Sequence, residues 1–247
     1  MTNSHDNWDV HWENFSNSAN RNPAQKYRQR LIIKALEKAA CSESSHLLDI
    51  GSGQGDFLKQ SMIKWPKARF LGFEMSKIGV QVSKEKLPSV EFLEVNLYDP
   101  PEAASLFEGW ATHAVCSEVL EHVDDPVAFL RKASTYLSAG AKIIVTVPGG
   151  PMSHYDKHIG HRKHFTSENL KKCLQLSGFT PVEVKSAGFP FFNLYRTLVI
   201  LRGKSLIKDA SANNSNILMG FFESLFNLLF KLNNSHFGWQ VIGIGIK

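Results

Sequence analysis

The sequence predicts a doubly wound α/β domain, and two observations support this prediction. Short apolar segments with strand character alternate with amphipathic helical segments through the central part of the chain, 46–188. This alternation is typical of parallel strands joined by right-handed helical crossovers. The length of 247 residues, with 43% hydrophobic and 21% charged residues, is sufficient for one such domain with its own core.

The elements follow one another in a regular order after an N-terminal helix. That helix begins near Pro23, because apolar residues from Tyr27 to Leu36 recur at helical spacing. After that helix, the predicted strands are 46–50, 68–73, 90–95, 113–116, 141–147, 180–185 and 239–247. The further predicted helices are 56–64, 76–86, 126–137 and 167–177. The sequence therefore predicts a largely parallel sheet with helices on both faces.

We interpret the chain as one domain in four parts: an N-terminal helical cap (1–45), a core (46–188), a helical insert (189–237) and a final strand (238–247). The insert holds two apolar helical segments and a polar linker, 209–216. Its segment 217–232 has 16 residues and is interrupted by polar side chains. It is therefore too short for a membrane span, which needs about 20 residues. Three interpretations stay open: a lid over an apolar ligand, a cover for the sheet, or a patch that contacts a membrane surface or a second subunit.

The composition argues against several partners and compartments. The formal charge is +5, and the basic residues are scattered instead of forming the stripe typical of nucleic-acid binders. Three cysteines without CxxC spacing indicate reduced thiols and a cytoplasmic protein. The polar first residues predict no signal peptide. We therefore expect a small-molecule partner and no nucleic acid, and the oligomeric state stays open.

A glycine-rich turn directly follows the first predicted strand, in the sequence LLDIGSGQGDF (47–57). Such a turn lets a ligand approach the backbone, and the next helix directs its unpaired N–H groups at that ligand. Gly51, Gly53 and Gly55 form GxGxG, whereas a dinucleotide site needs GxGxxG. Asp49 precedes them and suits the positive charges of S-adenosylmethionine (SAM), but it would repel a pyrophosphate. We therefore predict SAM as the ligand.

Three residues after later strands are candidates for the adenosine part of that ligand. Glu74 ends the second predicted strand, where a carboxylate can accept hydrogen bonds from both ribose hydroxyls. Met75 is a candidate to pack on the adenine ring, and Asn96 is a candidate to bind its edge. The alternatives are that Met75 packs in the core and that Asn96 only forms part of a turn.

Four segments together resemble the class I SAM-dependent methyltransferases: LLDIGSGQGDF, GFE ending at Glu74, CSEVLEHVDDP and IIVTVPG. The resemblance covers roughly 47–179, and it is strongest to small-molecule enzymes that contain EVLEH. It implies a Rossmann-like seven-stranded sheet of order 3-2-1-4-5-7-6 with the last strand antiparallel. By this resemblance Asp49, Gly51 and Gly53 flank the methionine part of SAM, and Glu74 binds the ribose.

The same resemblance assigns further residues to the cofactor. Asn96 and Leu97 would lie by the adenine, although many relatives carry Asp where this chain has Asn96, and Ser117 with Glu118 would lie beneath the methionine part. The segment 22–28 is similar to a helix that closes over SAM in ubiquinone-type O-methyltransferases. This similarity makes Arg28 a candidate to bind the carboxylate of SAM, with a surface arginine as the alternative.

The segment after the fifth strand, 149–165, should border the methyl acceptor, because ligands of open α/β sheets bind at the carboxyl ends of the strands. It contains His154, His158, His161 and His164. A histidine could remove a proton from the acceptor, the loop could bind a metal, or the histidines could only shape the loop. HxxH spacing in a loop is weak evidence for a metal, so none is predicted. His161 and His158, with His122 from EVLEH, are the candidate catalytic residues.

Together these patterns predict an enzyme that transfers the SAM methyl group to an oxygen or nitrogen of a small, fairly apolar metabolite. The product would be S-adenosylhomocysteine, and a biosynthetic role is expected. The alternatives are a non-catalytic SAM-binding protein, a protein or RNA methyltransferase, and an NAD-dependent oxidoreductase. The glycine spacing and the absence of a Tyr-x-x-x-Lys arrangement near the fifth strand oppose the last of these.

Overall fold

The structure is a computed structural model that describes residues 8–9, 22–202, 224–234 and 236–247. Its centre is a seven-stranded sheet of order β3-β2-β1-β4-β5-β7-β6. The strands are β1 His46–Ile50, β2 Arg69–Glu74, β3 Glu91–Glu94, β4 Ala111–Ser117, β5 Leu137–Pro148, β6 Val182–Ala187 and β7 Gln240–Ile246. β7 runs antiparallel to β5 and β6, and the other pairings are parallel. The predicted fold class and strand order are confirmed.

The helices lie between the strands, as the alternation predicts. They are α1 Pro23–Lys38, α2 Asp56–Lys64, α3 Lys77–Lys86, α4 Glu102–Ser105, α5 Pro126–Ser134, α6 His154–His158, α7 Ser167–Leu176 and α8 Phe191–Arg202. The structure also has two single 3-10 turns, Leu120–His122 and Phe230–Leu232, and helical segments at 8–9 and 224–229. The short helices α4 and α6 were not predicted, because neither is long enough to show a helical repeat of apolar residues.

Local capping explains where several helices begin. The Asn22 side chain accepts a hydrogen bond from the Ala24 N–H, and Pro23 occupies the first turn of α1. Ser76 caps α3, and Asp125 accepts from two N–H groups at the start of α5. Each cap satisfies N–H groups that have no partner inside the helix.

Several predicted boundaries differ from the structure by two or more residues, and the largest difference is at the start of β5. The helix predicted over 126–137 ends at Ser134, and Leu137 is the first residue of β5 instead. Leu137 pairs with Ala111, after which the register shifts before His113 pairs with Lys142. The apolar Leu137 continues the helical repeat in the sequence, but pairing with β4 outweighs that local preference.

Apolar residues fill both faces of the sheet. One core cluster includes Leu130, Leu170 and Phe179 beside β4 and β5, and another includes Leu36, Leu58 and Phe92 on the opposite face. Leu36 belongs to α1 and is fully buried. The N-terminal helix therefore packs as part of the sheet cover.

The described part of the insert packs against α1. Phe192 of α8 joins Phe226 and Phe230 in an aromatic cluster with Tyr27 and Ala24. The linker 209–216 and the first residues of the predicted helix 217–232 lie outside the described residues. Within the described ranges, we find no helix long and apolar enough to cross a membrane.

Candidate active site

The crevice at the carboxyl ends of β1, β2 and β4 begins with the glycine turn. Gly51, Gly53 and Gly55 have φ values of 75°, 54° and 73°, which glycine adopts without the penalty of a Cβ. The Gly51 N–H donates to the Phe73 carbonyl at 2.7 Å, which fixes the turn to β2. A Cβ on Gly51 would lie 2.5 Å from Cγ2 of Val119, so this turn and the segment after β4 are in close contact.

Glu74 points back from the end of β2 to that turn. Its Oε2 accepts a hydrogen bond from the Gly53 N–H at 2.8 Å, and its Oε1 accepts from the Ser76 N–H at 2.9 Å. The side chain is only 6% exposed. The carboxylate is therefore held in one orientation beside the glycine turn, and its contact with the ribose stays a prediction.

Asp49 is the second buried carboxyl group of the crevice. It is 3% exposed, and burial together with the charge of Glu74 raises its pKa to about 8. A nearby cation would stabilise the ionised form of Asp49, because it would offset both the burial and the repulsion from Glu74. Its placement at the end of β1 thus suits the positively charged part of SAM.

The adenine candidates differ in their surroundings. Asn96 is exposed, and its Oδ1 accepts a hydrogen bond from the Tyr98 N–H at 3.1 Å, which closes a turn. Leu97 is buried in the core beside β4, whereas Met75 is 45% exposed. Their contacts with adenine stay predictions.

Residues at the end of β4 connect the crevice to the N-terminal helix. The Ser117 hydroxyl lies 2.8 Å from Oγ1 of Thr146 on β5. Glu118 has a φ of 56°, and its Oε1 accepts a hydrogen bond from Gln240 Nε2 at 2.9 Å. Nη1 of Arg28 lies 3.6 Å from Glu118 Oε2. Arg28 therefore lies at the end of β4, and its contact with the carboxylate of SAM stays a prediction.

Two described residues near the N-terminus also contact the crevice. The Asp9 carboxylate accepts hydrogen bonds from Ser76 Oγ and from the Ile78 N–H at the start of α3. The Trp8 ring lies edge-on to His122, with 4.7 Å between the ring centroids. These consecutive residues thus contact the segments that follow β2 and β4. No sequence pattern marked them.

Three histidines gather next to the end of β4. The rings of His122 and His161 are 4.7 Å apart, and Nδ1 of His161 lies 3.2 Å from Nε2 of His164. His154 and His158, on α6, are exposed. The structure therefore brings the candidates His161 and His122 together and leaves His158 at the surface.

Buried charges surround this histidine cluster. Asp156 is 1% exposed, and Arg196 from α8 binds it through two hydrogen bonds of 3.1 and 2.8 Å. Burial acts to raise the pKa of Asp156, but Arg196 and Ser153 outweigh it and lower the pKa to about 2. Burial and the neighbouring His122 lower the pKa of His161 to about 3, so its ring is neutral near pH 7.

Sequence reasoning missed three charged residues at this site. Glu121 belongs to EVLEH, but nothing in that motif shows that its side chain is fully buried. Asp156 and Arg196 lie 40 positions apart, so no local pattern could pair them. The Ser153-Asp156 capping box was a readable signal for α6, because it places an acid three residues after a serine.

The fold and the crevice together define the class of protein: a Rossmann-like methyltransferase with the features of a SAM site. The model of a family described as a methyltransferase domain matches residues 24–184. The chain belongs to this family, whose class I members use SAM and release S-adenosylhomocysteine.

Two relatives and one solved structure resemble the chain. The chain is 30% identical over 70 residues to a trans-aconitate 2-methyltransferase of Paracidovorax citrulli, a match covering 28% of this chain and 27% of that protein. It is 27% identical to one from Rhodopseudomonas palustris, over 51% of this chain and 44% of the relative. The chain thus matches less than half of either relative's length. Phosphoethanolamine N-methyltransferase 2 of Haemonchus contortus, solved with SAM, has a similar fold with a TM-score of 0.61 at 17% identity, covering 89% of this chain and 52% of that one.

Proposed function

We propose that this protein transfers the methyl group of SAM to an oxygen or nitrogen atom of a small, fairly apolar molecule in a biosynthetic reaction of the cytoplasm. The observation that carries this proposal is the Glu74 carboxylate, fixed at 2.8 Å from the Gly53 N–H at the carboxyl end of the sheet. Within the proposal, Glu74 binds the ribose of SAM, Asp49 faces its positive charges, and Arg28 binds its carboxylate.

The acceptor lies beside the histidine cluster in this proposal. SAM supplies an activated methyl group, so holding the acceptor in line with it provides much of the rate. Leu194 and Leu198 of α8 are 48% and 41% exposed, and this apolar surface favours an acceptor with an apolar part. A base with a pKa near 3 holds a proton weakly, so unaided proton removal by His161 is disfavoured.

Calorimetry with SAM tests the cofactor site. Glu74→Gln should weaken SAM binding by roughly 10- to 100-fold, because hydrogen bonds to a charged acceptor contribute about 1.5–3 kcal/mol each. The matched control is Glu94→Gln, since Glu94 pairs with Glu74 in the sheet register but is exposed. Its SAM affinity should match that of the wild type. NAD binding without SAM binding would contradict the proposal.

A second measurement separates an enzyme from a SAM-binding protein. The protein is incubated with SAM carrying a labelled methyl group and a panel of acceptors, including apolar alcohols, amines and trans-aconitate. We expect label in an acceptor together with stoichiometric release of S-adenosylhomocysteine. SAM binding without transfer to any acceptor would favour the non-catalytic alternative.

A further inference from the structure

The Glu121 carboxyl group is buried without a hydrogen-bond donor. It is 0% exposed, and neither of its oxygens has a hydrogen-bond partner among the described residues. A buried carboxylate without such a partner costs several kcal/mol. The site therefore requires either a proton on Glu121 or a cation beside it.

The hydrogen bonds of the neighbouring histidines show which atom faces Glu121. The Gly150 carbonyl can only accept, so Nδ1 of His164, at 3.0 Å from it, carries a proton and donates. With one proton per ring, Nε2 of His164 then accepts from Nδ1 of His161. Nε2 of His161 is left with a lone pair, and it lies 4.0 Å from Oε1 of Glu121. Two acceptor atoms thus face each other.

His122 completes this arrangement. One potential ligand atom each from Glu121, His122 and His161 lie within 4.8 Å of one another. Ligand atoms bound to a metal at about 2.1 Å are at most about 4.2 Å apart. Small side-chain rotations are therefore sufficient to bring the three atoms onto one ion.

A second group, Asp156 with His161 and His164, is a poorer candidate. Its atoms are also close together, but the Asp156 oxygens already accept two hydrogen bonds from Arg196 and one from the Ser153 N–H. Nδ1 of His164 already donates a hydrogen bond to the Gly150 carbonyl. The Asp156 oxygens are therefore already occupied, whereas the Glu121 oxygens have no hydrogen-bond partner among the described residues.

From these contacts we propose that Glu121, His122 and His161 bind a divalent transition-metal ion such as Zn²⁺ or Mn²⁺. Two imidazoles favour such ions over Mg²⁺ and Ca²⁺, which prefer oxygen ligands. Three protein ligands leave coordination positions open for water or a ligand. If the proposed function holds, an oxygen atom of the methyl acceptor occupies one of them. This site replaces the expectation, drawn from sequence, that the chain has no metal site.

Metal binding is tested on the full chain without an affinity tag, after dialysis against a chelator. Calorimetry with ZnCl₂ and MnCl₂, without SAM, should show one bound ion, and MgCl₂ should bind at least about 10-fold more weakly. His161→Gln and Glu121→Gln should each weaken binding of the transition metal by about 10-fold or more. The matched control is His158→Gln, an exposed histidine of the same loop, which should bind like the wild type.

Thermal unfolding provides a second readout that does not depend on activity. In chelator, Glu121→Gln should have a higher Tm than the wild type, because it removes an uncompensated buried carboxyl group. Adding Zn²⁺ or Mn²⁺ should raise the Tm of the wild type clearly more than that of Glu121→Gln, whose affinity for the metal is lower.

Absence of stoichiometric binding, or binding that both substitutions leave intact, would overturn the metal site and leave Glu121 as a protonated structural residue. SAM affinity is measured on the same samples to separate the two proposals. A protein that binds SAM but no metal contradicts only the metal site, whereas one that binds metal but no SAM contradicts only the proposed function.

Discussion

The glycine turn shows how single residues shape the crevice. Gly51 needs a positive φ and also has no room for a side chain, because a Cβ would lie 2.5 Å from Val119. These two requirements have different physical origins. The first concerns the backbone alone, and the second concerns the contact between the turn and the segment that follows β4.

Substitution of two glycines separates these requirements. Gly140 has the same φ of 75° as Gly51, but a Cβ there would meet nothing within 4 Å. Gly140→Ala should therefore lose about 1 kcal/mol of stability through backbone strain alone. Gly51→Ala should lose more, and its SAM affinity should fall, because Val119 and the turn must move apart. Chemical unfolding and calorimetry measure both effects. Equal losses in stability would show that the contact with Val119 has no effect.

At the residue scale, spacing alone identified the glycine turn and Glu74, since both follow directly from the order of strands and helices. It could not identify Glu121. The sequence does not show whether a carboxyl group is buried. The histidine that faces Glu121 is His161, which lies 40 positions later in the chain.

Among the elements, α8 has a direct connection to the loop that contains the histidines. Arg196 reaches from α8 to Asp156 on α6, and Tyr195 on the same helix donates a hydrogen bond to Asn22 at the start of α1. The insert is thus joined both to the loop beside the proposed acceptor site and to the N-terminal helix. Its role as a lid stays a prediction.

Removing Arg196 tests this connection. Arg196→Ala should destabilise the protein by about 3–5 kcal/mol, because it leaves Asp156 charged and buried with the Ser153 N–H donating to it but without its cation. The difference in stability between the wild type and Arg196→Ala should become smaller in acid. The pKa of Asp156 is lowered in the folded protein, so its ionised carboxylate stabilises the fold above pH 4, and this stabilisation is lost as the pH falls towards 2. Urea unfolding at pH 7 and pH 3 measures both.

An exposed ion pair is the control for that experiment. Lys64 and Glu37 form one, with side chains 46% and 43% exposed. Lys64→Ala should change stability by less than about 0.5 kcal/mol. If Arg196→Ala changes stability no more than Lys64→Ala does, the buried pair does not hold α8 to the loop.

For the whole molecule, the sheet depends on the end of the sequence. β7 lies between β5 and β6 and forms antiparallel ladders with both. The side chains of Val241 and Ile242 are each only 2% exposed, and they belong to the core clusters on opposite faces. β7 therefore holds β6 to the rest of the sheet.

Deletion of residues 240–247 should abolish cooperative unfolding, because β6 loses its only described partner strand and both core clusters are opened. Circular dichroism during thermal unfolding measures this. Lys247→Ala is the control. It removes the two hydrogen bonds that Nζ of Lys247 donates to the carbonyls of Ser134 and Leu137, and it should keep a single transition with a loss of about 1 kcal/mol. A cooperative transition in the deletion variant would show that β7 is dispensable.

The sequence by itself determined the doubly wound class, the glycine turn and its acidic companions, because these features are encoded in local periodicity and short spacings. The resemblance of four motifs added the strand order, which the structure then confirmed. Helix ends were predicted less well, as at Leu137, where pairing between strands outweighs a local helical pattern.

Only the tertiary structure decided which charged groups meet away from water. It brought His122 and His161 to Glu121, joined Asp156 to Arg196, and left His158 exposed. The physical reason is that the pKa of a side chain and its hydrogen-bond partners depend on burial and on neighbours from distant parts of the chain, and neither is written in local sequence.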